Sequence, residues 1–134
     1  MNDKTARCVL LADRHHDLNA RVCGLLETVF GQVFMVADEV SLMEGAGRLR
    51  PTMFVIDLSL AAGHLQRMVR ALRERAPGAK ILLISVHDEP AVVAAASAAG
   101  ADGLVLKRAI ATDLFEAIDA ILAGNCYVSR ATRA

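Results

Sequence analysis

Short apolar runs alternate with longer amphipathic patterns five times along this chain, and that alternation limits the fold more than any other feature. Residues 8–12, 33–37, 53–57, 81–86 and 103–106 read as strands, being too short and too evenly apolar for helices. The patterns between them are helical: Leu18, Val22, Leu25, Leu26 and Val29 share one helix face, as do Leu65, Met68, Val69 and Leu72, and later Leu114, Ile118, Ile121 and Leu122. Strands this apolar belong to a parallel sheet covered on both sides, since right-handed crossovers place helices on its two faces. One reversal of winding gives a doubly wound five-stranded α/β sandwich of three layers, strand order 2-1-3-4-5.

The element boundaries carry their own signals. Ser41, three residues before Glu44, fits a capping box for the second helix, and Pro77-Gly78 closes the third. Asp88 is positioned to cap the fourth, which Gly100 ends, and Thr112 to cap the fifth, which Gly124 ends. No linker, repeat or low-complexity stretch interrupts the 134 residues, so a single domain is expected. A chain of that length buries roughly 70% of its unfolded surface and needs no disulfide or metal to fold.

Composition then excludes several functions. Fifteen basic residues balance fifteen acidic ones, so net charge draws the domain neither to nucleic acid nor to anionic lipid. With 4% aromatic residues and no Trp, base-stacking platforms are not expected. Cys8, Cys23 and Cys126 are odd in number and widely spaced, which fits reduced thiols better than a disulfide frame or a zinc site. No apolar run approaches a membrane span and no signal peptide opens the chain, so a cytoplasmic location is expected.

In a doubly wound sheet the ligand crevice lies outside the carboxyl ends of the strands, where the order reverses. Four polar residues fall there: Asp13 after the first strand, Asp57 ending the third, Ser85 in the fourth and Lys107 after the fifth. A carboxylate at the end of a central strand is a possible phosphoryl acceptor; a second acid helps hold Mg²⁺, a hydroxyl bonds a phosphoryl oxygen and a lysine offsets its charge. No GxxxxGK[ST] loop is present, and the turn "ADRHHD" lacks the glycines of a dinucleotide fingerprint, which disfavours a nucleotide-binding enzyme.

The stretches "VLLADRHHD", "MFVIDLSLAAG", "KILLISVHDEPAVVAAASAAGADGLVLKRA" and "GNCYVS", in that order from about residue 7 to 129, resemble the receiver domain of two-component response regulators. The likeness is greatest to receivers that precede a LuxR/NarL-type helix-turn-helix. It implies a flavodoxin-like (CheY-like) fold in which Asp57 accepts phosphate from a histidine kinase, Ser85 follows the phosphoryl group and Lys107 supplies the cation. It also implies Mg²⁺ held by Asp13, Asp57 and the backbone carbonyl of Ser59. Such a domain is a signalling module, with at most Mg²⁺-dependent self-phosphorylation and dephosphorylation. It would reach DNA only through an output domain that this chain is not expected to contain, and homodimerisation is a further expectation.

The sequence departs from that pattern at the metal. Arg14 stands where the family has its second acid, and a cation there weakens Mg²⁺ binding. Two readings of Arg14 follow: its guanidinium enters the pocket and pairs with Asp57 or Asp13, or it is solvated and idle. Ala61 and Leu65 replace the family's proline and glycine, and Leu104 replaces an aromatic that switches rotamer in many receivers. A pseudo-receiver acting as a phosphorylation-independent interaction module is therefore the second reading. Of the histidines, His15 and His16 are adjacent, and His64 and His87 stand apart; without ligand spacing they read as solvated or pocket-edge groups, with His87 and Ser59 flanking the acceptor.

Overall fold

The computed structural model describes residues 7–61 and 63–129, with the side chains of 16–19 left outside. Strands β1 (Cys8–Ala12), β2 (Gln32–Val36), β3 (Met53–Asp57), β4 (Lys80–Ser85), β5 (Gly103–Leu106) and β6 (Tyr127–Val128) form one parallel sheet, ordered 2-1-3-4-5-6. Helices α1 (His16–Leu26), α2 (Glu39–Leu49), α3 (Leu65–Arg75), α4 (Pro90–Ala98) and α5 (Ile110–Leu122) make the crossovers. The expected order is present, extended by one strand. β6 pairs Tyr127 with Gly103 and Val128 with Leu104, and Ser129 N–H donates to the Leu104 carbonyl at 2.9 Å.

The two-residue period of the strands sorts their side chains between two cores. Leu10, Ala12, Phe54, Ile56, Ile81 and Leu83 point to one face, where Leu42, Ala46, Met68, Val69, Leu72 and Ala96 of α2, α3 and α4 cover them. Val9, Leu11, Met53, Val55, Leu82 and Ile84 point to the other, under Val22 and Leu26 of α1 and Leu114, Ile118 and Ile121 of α5. β3 is buried along its whole length, which explains its uninterrupted apolar run.

Several boundaries differ from the sequence reading. Asp38, not Ser41, caps α2: its Oδ1 accepts the Ser41 N–H at 2.7 Å, because β2 ends at Val36 and leaves an acid free to cap three residues earlier. Asp88 caps nothing and instead pairs with Arg108 at 2.7 Å, while Pro90 occupies the first turn of α4, where its missing N–H costs nothing. Thr112 lies inside α5, its hydroxyl donating back to the Ala109 carbonyl at 3.1 Å. β4 stops at Ser85 rather than Val86, whose side chain is 61% exposed. Gly100 and Gly124 do end their helices with φ of +87° and +94°, a conformation that favours glycine. Leu18, expected on the buried stripe of α1, lies among the side chains not described.

Gly103 sits where β5 meets both β6 and α5. A Cβ there would lie 2.7 Å from Ile121 Cδ1 and 3.1 Å from the Tyr127 carbonyl oxygen. The backbone contact cannot swing aside as a side chain can, so Gly103→Ala is expected to destabilise the domain by about 1–3 kcal/mol in urea unfolding.

Candidate functional site

Because all the strands run in one direction, their carboxyl ends share a rim, and the chain leaves each strand there through a polar residue. Asp13 follows β1, Asp57 ends β3, Ser85 ends β4 and Lys107 follows β5. Asp13, Asp57 and Ser85 are buried, and the Lys107 side chain is 11% exposed. Lys107 Nζ donates to Asp57 Oδ2 at 2.9 Å and lies 3.5 Å from Asp13 Oδ2, so one ammonium serves two carboxylates.

Three of these exits use the same local turn, in which a side-chain oxygen accepts the backbone N–H two residues on. His15 N–H donates to Asp13 Oδ1 at 2.9 Å, Ser59 N–H to Asp57 Oδ1 at 3.1 Å and His87 N–H to Ser85 Oγ at 2.9 Å. Ser59 adds its hydroxyl, which donates to Asp57 Oδ2 at 2.9 Å. Ser85 Oγ in turn donates to the His87 carbonyl at 3.0 Å, so its hydroxyl is engaged by its own loop.

Burial acts to raise the carboxyl pKa of both acids, with opposite outcomes. At Asp57 burial is outweighed by hydrogen bonds from Lys107 and from the Ser59 N–H and hydroxyl, and by the lysine's charge, so the group is held below the ordinary carboxylate value. At Asp13 burial prevails over the His15 N–H, the Asp57 carboxylate adds to the rise, and Lys107 only partly offsets it. Asp57 is thus the stably ionised member of the pair.

A cleft of about 140 Å³ opens beside Asp57, lined by Leu58, Ser59, Ser85, Val86 and His87. A larger hollow of about 560 Å³ lies near Arg50, Pro51 and Pro77, at the opposite rim from the converging polar groups. Size therefore does not locate this site; chemistry does.

Of the two readings of Arg14, the structure matches the second. Arg14 is exposed and makes no ion pair with Asp13 or Asp57 among the described residues. Among the histidines, His64 pairs with Glu39 across the start of α3, with Nε2 3.0 Å from Oε1, and exposed His87 lies 3.8 Å from Glu89. The His16 side chain lies outside those described. His15 is the surprise: a ring nitrogen and carboxylate oxygens of Asp13 and Asp57 lie within 4.8 Å of one another. No spacing rule signals this, since strand order brings His15 to Asp57.

A family model described as the response regulator receiver domain matches residues 9–119. The chain belongs to the receiver family. Among relatives, it is 28% identical to the nitrate/nitrite response regulator protein NarL of Escherichia coli, covering 98% of this chain and 62% of that one. It is 26% identical to the transcriptional regulatory protein DegU of Brevibacillus brevis, covering 90% of this chain and 52% of that one. The receiver thus spans about half to two-thirds of the length of these relatives. A LuxR-family two-component response regulator from Aurantimonas superposes with a TM-score of 0.82 at 28% identity, over 93% of this chain and 91% of that one. The isolated receiver of RcsB from Salmonella enterica, solved with a phosphomimetic beryllium fluoride, superposes at 0.80 and 20% identity, covering 94% and 95%, a likeness of fold. It is a receiver of the NarL/LuxR type, a signalling domain, and no helix among the described residues is long and apolar enough to cross a membrane.

Receivers use Mg²⁺ in phosphorylation. Mg²⁺ asks for octahedral oxygen ligands, and here the receiver offers two carboxylates beside an imidazole, with an arginine in place of the further acid. That set keeps the two carboxylates by which a protein can hold Mg²⁺, but it is poorer in oxygen donors than the family's.

Proposed function

We propose that this receiver takes a phosphoryl group onto Asp57 from the phosphohistidine of a histidine kinase and so controls a transcriptional output. The observation that carries the reading is a buried, ionised carboxylate at the end of a central strand, with a lysine ammonium 2.9 Å from one oxygen and a cleft open beside it. A carboxylate oxygen of Asp57 attacks phosphorus as the N–P bond of the donor breaks. An O–P bond forms, and the donor imidazole leaves with the electron pair and takes up a proton. Lys107 and the Ser59 N–H balance the charge that develops on the phosphoryl oxygens.

Ser85 joins only by surrendering its bond to the His87 carbonyl. Its turn toward a phosphoryl oxygen would release the loop between β4 and α4, whose Asp88 is tied to Arg108 of the next connection. This gives the acylphosphate a route to a surface without an aromatic at position 104, where buried Leu104 stands. The resulting surface change would favour a homodimer. Output through a DNA-binding domain is proposed because relatives are named as transcriptional regulators, and a cytoplasmic location follows from a kinase partner.

The second reading, a phosphorylation-independent interaction module, is favoured by Arg14 at the position of an acid. Intact-mass measurement after incubation with a small acylphosphate and a divalent ion, followed by a cognate kinase, separates the two. One added phosphoryl supports the acceptor reading, and none under every condition supports the module.

A further inference from the structure

We propose that Asp13, His15 and Asp57 form a divalent-cation site that prefers first-row transition ions such as Mn²⁺ and Co²⁺ over Mg²⁺. The inference rests on the reading of this crevice as the receiver's working site, and it concerns which ion that site takes.

Each ligand has a reason to be available. The His15 ring is exposed and has no hydrogen bond or ion pair among the described residues, so a nitrogen lone pair is free for a metal. Its own backbone N–H holds Asp13 Oδ1 at 2.9 Å, which ties the imidazole and the carboxylate to one turn. At Asp57 the Oδ2 atom accepts from both Lys107 and the Ser59 hydroxyl, whereas Oδ1 accepts the Ser59 N–H and keeps a second lone pair that can face a metal. Ligand atoms up to 4.8 Å apart must close by about 1–2 Å to reach the separations of roughly 3.0–3.5 Å that donors adopt around an ion with bonds of about 2.0–2.2 Å. The exposed imidazole can rotate to supply that movement.

Selectivity follows from the donors. Mg²⁺ favours oxygen and gives up its water reluctantly, whereas affinity for a nitrogen-containing site rises from Mn²⁺ through Co²⁺ toward Cu²⁺. Replacing the family's further acid by Arg14 removes a hard oxygen, and the arginine keeps its charge in solvent rather than on the two acids. Imidazole then becomes the third protein donor, and it is the one that discriminates between ions.

Titration of the whole chain with Mg²⁺, Mn²⁺ or Co²⁺ tests this by calorimetry, by loss of the free Mn²⁺ resonance signal, and by the visible bands of bound Co²⁺. The expected result is at least tenfold tighter binding of Mn²⁺ and Co²⁺ than of Mg²⁺, and a loss of about tenfold or more of that advantage in His15→Ala and His15→Gln, with Mg²⁺ affinity unchanged. Both variants alter an exposed side chain, and circular dichroism checks that they fold. Equal affinity for the three ions, or a transition-ion preference that survives loss of His15, overturns the proposal. Phosphoryl uptake in Mg²⁺ without any effect of His15 would leave the acceptor reading standing alone. Binding through His15 without phosphoryl uptake in any ion would leave the ion preference standing alone.

Discussion

Asp57→Asn is expected to abolish phosphoryl uptake entirely, whereas Asp13→Asn should only slow it. An amide offers no anionic oxygen to attack phosphorus. Asp13 is not expected to take over, because it does not line the cleft beside Asp57 and holds the proton more readily of the two acids. Intact mass after exposure to an acylphosphate reads the result directly, and a phosphoryl gain in Asp57→Asn would place the acceptor elsewhere. The pH dependence adds a second check. Lys107 and Ser59 hold the Asp57 carboxyl below its usual range, so ionisation of the acceptor does not limit uptake at neutral pH. Uptake limited by that group should decline only once pH falls below the ordinary carboxylate value of about 4.

Lys107→Met should have the largest effect on stability. It removes the cation that serves both Asp57 and Asp13 and leaves two buried carboxylates facing each other, a change that typically costs about 3–5 kcal/mol. For a domain of this size that corresponds to a fall in Tm on the order of 10 °C. The deficit has a definite pH sign. Without the ammonium, burial at Asp57 is opposed only by the Ser59 N–H and hydroxyl, so its carboxyl is expected to rise and the folded variant to bind the proton more readily than the folded wild type. The deficit should therefore be full at neutral pH and shrink as pH falls through the variant's raised value toward that of the wild type. In an Asp57→Asn background the same lysine substitution should cost less, since only one carboxylate remains to be orphaned. A deficit independent of both pH and Asp57 would mean that packing of the lysine stem, not its charge, holds the rim together.

What could be read from the residues, and what could not, divides along physical lines. The five longer strands were legible because each is long enough to show an apolar run, and parallel winding then dictated that Asp13, Asp57, Ser85 and Lys107 meet at one rim. β6 was not legible, since two residues have no periodicity. Asp38 was not foreseen as a cap, because the Ser41/Glu44 spacing points to Ser41 and only the end of β2 at Val36 places the acid at the helix start. For Ser59 the family resemblance pointed to its backbone carbonyl as a metal ligand; the bonds from its N–H and hydroxyl to Asp57 were not foreseen. His15 reaches Asp57 through the adjacency of β1 and β3, which no local spacing encodes.

The brief sixth strand alters what β5 can do. Without it, the strand that delivers Lys107 would be the sheet's border; with it, that strand is clasped from both sides. The clasp ends in a single hydroxyl, for the Leu106 amide donates to Ser129 Oγ at 3.0 Å, one residue before the lysine. Ser129→Ala would leave that amide without this acceptor in the interior, at about 1–3 kcal/mol, and hydrogen exchange at Leu106 should quicken ahead of the other amides of β5. The distal border of the sheet and the Lys107 ammonium are thus two ends of one short lever, hinged on a serine.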